Sequence, residues 1–441
     1  MVFRVRTTAA DYHFHAYGYP NDDAAVEYAL SPADPQRHNL PFYSLRRDLA
    51  SLVADGIANN VPNLALIQVG AQIGADNQTY HTLALRFGDM SPGAPKVLLT
   101  GGIHAREWIA PEVTYLIAEY LLKNFSQHPA GDCQTQLSEL VNNRNITIIP
   151  MLNPGGNWFS TMSAGGQTNW RKNRRLLPDN LAAWANELNH PPFANVATDP
   201  EAGTVSYDVP QLSGQPARTV TFNVAPVPRG VDCNRNFNTP GWGSETDTAQ
   251  GQNMQQGNPN QGVYFGPDRS SETETANLTG LFAGLGDVAA SIDYHSYSRL
   301  IIVSSEAAIS NRYRRLGQAL QELITVNGSE QYALGDALQT VGYRAVSSVM
   351  DYMALTHRSS AFTVELDPGP NAGAGGFMLR EDQIKQVFEK NIRGALALIA
   401  TANNNPRSFW RGLFCCCSSP WAESVRQFDD WDVADHGNQL P

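Results

Sequence analysis

Four short, predominantly apolar runs, Val97–Thr100, Ile146–Leu152, Val288–Asp293 and Ala361–Glu365, constrain this chain more than any other feature. A run this apolar, without strict polar alternation and only four to seven residues long, reads as a strand buried on both faces. Between the runs lie stretches of helical period: Ser44–Ala54, Val113–Phe125, Leu181–Leu188, Arg312–Thr325 and Arg380–Thr401. Pro111 falls in the first turn of the second of these, where a missing N–H leaves no hydrogen bond unmade. Two further strands are expected at Ala65–Val69 and Tyr80–Phe87. Strand and helix in alternation predict an α/β fold: a single domain with a mixed, mostly parallel twisted sheet and helices on both faces.

The expected organisation is a catalytic domain over residues 1–405, a surface excursion at 176–229 rich in Pro, Asn and Ala, and a C-terminal tail at 406–441. At 441 residues and 42% hydrophobic content the chain can bury a large core. A net charge of −11 without a basic run argues against nucleic acid and anionic membrane as partners, and no apolar stretch is long enough for a membrane span. Five cysteines, three of them consecutive at Cys415–Cys417, form no disulfide framework. That tail triplet reads as reactive thiols on a flexible segment. With no apolar leader after Met1, the expectation is a cytoplasmic protein, the alternative a secreted one.

The first apolar run ends in Gly101-Gly102-Ile103-His104-Ala105-Arg106-Glu107-Trp108. An imidazole and a carboxylate three positions apart are two of the three protein ligands that a catalytic zinc needs. His295 stands at the end of the third run, in Asp293-Tyr294-His295-Ser296-Tyr297-Ser298. In open α/β sheets that end of the strands is where sites assemble.

These residues and several ordered blocks give the chain its resemblance to the zinc metallocarboxypeptidases of the carboxypeptidase A and B type. The blocks are Gly102–Trp108, Asn153–Gly156, Trp170–Arg174, Gly230–Phe237, Gly266–Glu274, His295–Ser298 and Phe362–Leu366, and the resemblance extends from about Tyr43 to Ala400. It implies a single Zn2+ held by His104, Glu107 and His295. It implies Glu365 as general base toward a zinc-bound water and Arg171 as the cation that stabilises the developing oxyanion. Arg235, helped by Asn234, would read the free C-terminal carboxylate of a peptide substrate, with Tyr343 closing over it. Asp232 would orient His104, Arg106 would add to a positive entrance or form an ion pair, and Trp108 is read as packing.

The same register lines the side-chain pocket with Leu338, Ala345, Met350 and Thr363, none of them charged, so Met350 points to apolar or aromatic C-terminal residues. Arg174 and Arg175 read as a solvated basic run. Ile301–Ser305 departs from the family's aromatic and proline residues after the histidine, so a subsite there is expected to differ. The excursion lies between Arg171 and Arg235 and is expected to restrict large substrates. Residues before Tyr43 leave no room for an inhibitory pro-segment, the expectation being a chain active as made. Two alternatives stand beside this reading. One is a zinc amidohydrolase acting on cell-wall peptides or acyl-amino acids; the other is a silent peptide-binding homologue, which would lack a ligand or the base.

Overall fold

Each apolar run becomes a strand in the computed structural model, which describes residues 14–16, 43–74, 77–125, 134–162, 169–225, 230–307, 309–324, 330–377 and 379–402. Besides the two-residue parallel pair His15–Ala16 and Tyr43–Ser44, the strands in chain order are β1 Ala65–Ile73, β2 Thr79–Gly88, β3 Lys96–Gly101, β4 Asn145–Ile149, β5 Ala194–Asp199, β6 Thr204–Val209, β7 Arg218–Asn223, β8 Ala290–Ser296, β9 Leu300–Val303, β10 Ala333–Asp336 and β11 Ser360–Leu366. Eight of them form one sheet in the order β10-β9-β11-β8-β3-β4-β2-β1. The middle strands β11, β8, β3 and β4 run parallel, as do β9 and β10, while β9 against β11, β2 against β4 and β1 against β2 are antiparallel.

Successive side chains of a strand point to opposite faces, and both faces of this sheet are covered. Val97, Leu99, Ile146, Ile148, Ile292 and Phe362 pack beneath helices Leu45–Ala58, Ile109–Lys123, Asn311–Ile324 and Glu381–Thr401. Leu98, Ile149 and Ala361 pack on the other side beneath Thr273–Leu285 and Val349–Thr356. Double burial is why the central strands read as predominantly apolar runs. Truncating Leu98 or Leu99 to Ala, both fully buried, is expected to cost about 2–5 kcal/mol. Helix Ile109–Lys123 touches the sheet on one side and helices Leu45–Ala58 and Glu381–Thr401 on the other, so it is buried from Ile109 to Leu122.

The segment 176–229 departs from the expected polar excursion. It carries the separate antiparallel sheet β5-β6-β7 and an apolar centre in which Trp184, Phe193, Tyr207 and Phe222 meet Trp242, Tyr264 and Phe265. Trp184 and Phe222 are 4.9 Å apart edge-on, Phe193 and Tyr207 5.1 Å, spacings favoured by the ring quadrupoles. Along β6, buried Val205, Tyr207 and Val209 alternate with Thr204, Ser206 and Asp208, the period of a strand with one covered face. Residues 226–229 and the tail with Cys415–Cys417 lie outside the described residues. Among the described residues no helix is long and apolar enough to cross a membrane.

Candidate metal centre and its cavity

Three neighbouring parallel strands deliver the chemistry to one edge of the sheet. β3 ends at Gly101, and Gly102 (φ 71°) then turns the chain. A Cβ at Gly102 would lie 2.7 Å from Met151 Sδ, so both the backbone conformation and the close approach require glycine. The turn places His104 and Glu107 just before helix Ile109–Lys123. In β8, Tyr294 pairs with Gly101, which puts His295 one step beyond the end of β3. His295 pairs in turn with Glu365 of β11. Adjacent strands lie about 4.8 Å apart, so the four side chains share one short row.

Within this row His104 Nδ1 is 2.8 Å from Glu107 Oε1, His295 Nδ1 is 2.9 Å from Glu107 Oε2, and the two Nδ1 atoms are 3.1 Å apart. All three residues are buried. Two imidazole nitrogens that close cannot both keep a proton between them, and the second nitrogen of each ring faces a carboxylate. His295 Nε2 is 2.7 Å from Asp293 Oδ2, and His104 Nε2 is 3.3 Å from Asp232 Oδ1. With the His295 Nε2 proton bound by Asp293 and the His104 Nε2 on the side of Asp232 but without a hydrogen bond among the described residues, the Nδ1 lone pairs converge on the side of Glu107. Metal bonds of about 2.0–2.1 Å at tetrahedral angles separate ligand atoms by about 3.3 Å, close to the spacing found. The donor set fits a zinc ion.

Electrostatics reinforce this. Burial opposes charge on Glu107, yet the imidazoles of His104 and His295 hold its carboxyl well below the usual carboxylate range. Burial, with Arg171 beside it, lowers His104; for His295 burial is outweighed by Asp293 and Glu107, which raise it. Burial and then the Glu107 carboxylate push Glu365 up to about 8. Glu365 is thus a group poised to hold a proton.

A cavity of 250 Å³ opens over the cluster, bordered by His104, Glu107, His295, Glu365, Arg171, Asn234, Arg235, Tyr343 and Met350. Arg171 Nε donates to Asp232 Oδ2 (2.9 Å), and its Nη1 is 3.9 Å from Glu107. Asp232, fully buried, therefore serves Arg171 more closely than it serves His104; burial opposes its charge, but Arg171 and then His104 keep it well below its usual range. Arg235 Nη2 donates to the Tyr343 hydroxyl (2.5 Å) and Nη1 to the Asn234 carbonyl (2.6 Å). Its Nε is buried with no partner among the described residues. The Asn234 side chain is anchored through Oδ1, which accepts from Val349 N (2.9 Å).

Some expectations shift. Leu338 does not line the cavity; Ala337 and Val341, on either side of it around the turn Ala337–Thr340, do, with Ile302, Ala345 and Thr363. Arg106 lies outside it, donating to Asn169 Oδ1 (2.7 Å) and stacked 4.1 Å from the Phe377 ring centroid. Trp108 Nε1 donates to Ser160 Oγ (3.0 Å), consistent with packing. Arg174 is not solvated but buried, 3.5 Å over Phe159, and Arg175 pairs with Glu272 (2.8 Å) and Glu187 (2.6 Å). Sequence reading missed Asp293 and Phe377. For Asp293 the signal was present: positions i and i−2 share a strand face, so its carboxylate reaches the His295 ring.

Fold and donor set together define a class, the single-metal hydrolases built on a mixed α/β sheet. Residues 53–394 match the sequence profile of the zinc carboxypeptidase (peptidase M14) family, and the chain belongs to that family. Mast cell carboxypeptidase A of Rattus norvegicus is 21% identical over 362 residues, spanning 81% of this chain and 70% of that protein. Carboxypeptidase B of Rattus norvegicus is 24% identical over 343 residues, spanning 76% of this chain and 65%, just under two thirds, of that protein. Among solved structures, carboxypeptidase A from Helicoverpa armigera superposes with a TM-score of 0.58 at 19% identity, covering 86% of this chain and 79% of the other. That likeness is one of fold.

Proposed function

We propose that the protein hydrolyses the C-terminal peptide bond of peptides and releases the last residue, preferentially an apolar or aromatic one. His104, Glu107 and His295 would hold a zinc ion, which when bound would supply a Lewis acid able to lower the pKa of water to about 7. Glu365, next to His295 across the β8–β11 pairing, takes the proton of the attacking water and gives it to the leaving amine. Arg171, fixed by Asp232, sets its cation where charge grows on the carbonyl oxygen and stabilises the transition state more than the bound peptide.

One observation carries the exopeptidase reading. Arg235 is 4% exposed and borders the cavity, yet no described carboxylate lies within 4.0 Å of its guanidinium. A buried cation without an anion is costly unless a ligand provides one. A terminal carboxylate does so, with bidentate geometry, and the Tyr343 hydroxyl stands beside it. Ile302, Ala345 and Met350 give the floor its apolar character. The arrangement also favours the exopeptidase over an acyl-amino acid or cell-wall amidohydrolase and over a silent homologue, because ligands, base and carboxylate reader are all present. The test is a panel of peptides differing only in the last residue. Release of single amino acids, fastest for apolar ends and abolished by chelator, is expected; Glu365→Gln should lower the rate by about 10²–10⁴. Equal cleavage of C-terminally amidated peptides refutes the reading.

A further inference from the structure

Beside the metal cavity lies a cleft of 660 Å³ that shares Arg171 and Tyr343 with it. Arg106, Arg171, Lys172 and Arg174 line this cleft, and among the described residues no Asp or Glu does. In a chain with 42 acidic and 31 basic residues, a wall of cations alone runs against the composition. Arg171 is neutralised by Asp232. Arg106 and Lys172 are held by uncharged groups instead. Arg106 has its bond to Asn169 and its stack on Phe377, while its Nε is buried without a partner among the described residues. Lys172 donates to the carbonyls of Pro259 (2.8 Å) and Gln261 (3.2 Å), which leaves one of its three N–H groups. No described carboxylate lies within 4.0 Å of either cation, and burial pushes the Lys172 ammonium down to about 8. Arg174 Cζ lies 3.5 Å over the Phe159 ring and 5.7 Å from the Trp170 ring, which fixes a further cation in the wall of the cleft.

A peptide whose last carboxylate sits at Arg235 and whose scissile carbonyl sits at the His104/Glu107/His295 cluster passes Arg171 with the residues before the cleaved bond. Arg171 borders both cavities, so those residues enter the cationic cleft. We propose that the cleft is a subsite for acidic side chains, and that the preferred substrates carry Asp or Glu in the positions preceding the scissile bond. This rests on the carboxypeptidase reading and adds the substrate class.

Peptides sharing their last two residues and carrying Glu-Glu, Ala-Ala or Lys-Lys just before them test it. With the zinc-loaded full chain, kcat/KM is expected to be about five- to tenfold higher for Glu-Glu than for Ala-Ala at low salt, lowest for Lys-Lys, and to converge at about 0.5 M NaCl. Lys172→Gln and Arg174→Gln should each lower the Glu-Glu to Ala-Ala ratio about threefold; being a ratio within one preparation, it is insensitive to any fraction that fails to fold. The Glu365→Gln protein, which retains uncleaved peptide, should show the same order in dissociation constants by calorimetry. Rates within twofold across the three peptides, or a preference for Lys-Lys, overturn the inference and leave the carboxypeptidase reading intact. Release from none of them overturns both.

Discussion

Asp293 offers the most direct quantitative test of the metal centre. Its carboxylate is 2% exposed, accepts from Thr100 Oγ1 (2.7 Å) and faces His295 Nε2 at 2.7 Å. Asp293→Asn keeps the shape and one acceptor but removes the charge. A hydrogen bond to a charged group contributes about 1.5–3 kcal/mol and a neutral one about 1, so the ring loses about 1–1.5 kcal/mol of support, roughly tenfold in zinc affinity. Asp293→Ala also strands the ring N–H in the interior. Asn234 cannot replace the acceptor, because its Oδ1 is already bound to Val349 N. Thr100 has a weak fallback in the Ile292 carbonyl at 3.5 Å, so the penalty falls on His295, and the loss should approach a hundredfold. Protons compete with the metal for His295 Nδ1, and Asp293 raises that imidazole. Removing the carboxylate therefore also relieves part of the competition at low pH, and the loss should be larger at alkaline than at neutral pH. Zinc competition against a chelator of known affinity, at about pH 7 and pH 9, measures both effects. Affinities within twofold of the parent chain at the higher pH, in protein with unchanged circular dichroism, would falsify the assigned role.

Carboxylate recognition makes a second prediction: Arg235→Lys should raise KM for peptides at least about tenfold, a point charge replacing a bidentate fork, and Tyr343→Phe about three- to tenfold, while neither alters bound zinc by elemental analysis. A change in zinc content with KM preserved would contradict both assignments. Third, burial and then Glu272 push Glu274 up to about 7 from 4.5. A carboxyl raised in the folded state favours folding fully below the unfolded value, and that contribution of about 3 kcal/mol is lost as pH rises from about 4.5 through 7. Glu274→Gln should flatten urea-midpoint stability across that window and stabilise the protein at about pH 8; an unchanged pH slope excludes Glu274 as its source.

The sequence was most legible where burial is most complete. Strands β3, β4, β8 and β11 are covered on both faces, so their runs announced themselves, although β8 is displaced from the expected Val288–Asp293 to Ala290–Ser296. The displacement has a cause: Asp293, His295 and Ser296 are polar because they face the site or its supports, so hydropathy ended the strand early. The metal ligands were legible as residue types at strand ends. The cleft was not, since Arg174 finds Phe159 fifteen positions upstream and Arg106 finds Phe377 far downstream, and neither contact leaves a local pattern. The core of 176–229 was obscured differently: the alternation of Thr204–Val209 is plain in itself, but Pro- and Asn-rich flanks outweighed it.

Why the site sits on three adjacent parallel strands follows from register. A strand shifted by one residue turns every side chain to the opposite face, and in β8 such a slip would turn His295 away from the ligand cluster and bring Tyr294 or Ser296 toward Glu107. The pairings Tyr294 with Gly101 and His295 with Glu365 prevent this only because Ile292, Phe362 and Leu99 occupy one face and Ala361 and Leu98 the other. Slipping β8 would expel Ile292 from beneath the helices, at about 1.5–3 kcal/mol for that side chain alone. The core therefore fixes the distance between His295 and the base, while the turn at Gly102 carries His104 and Glu107 to them.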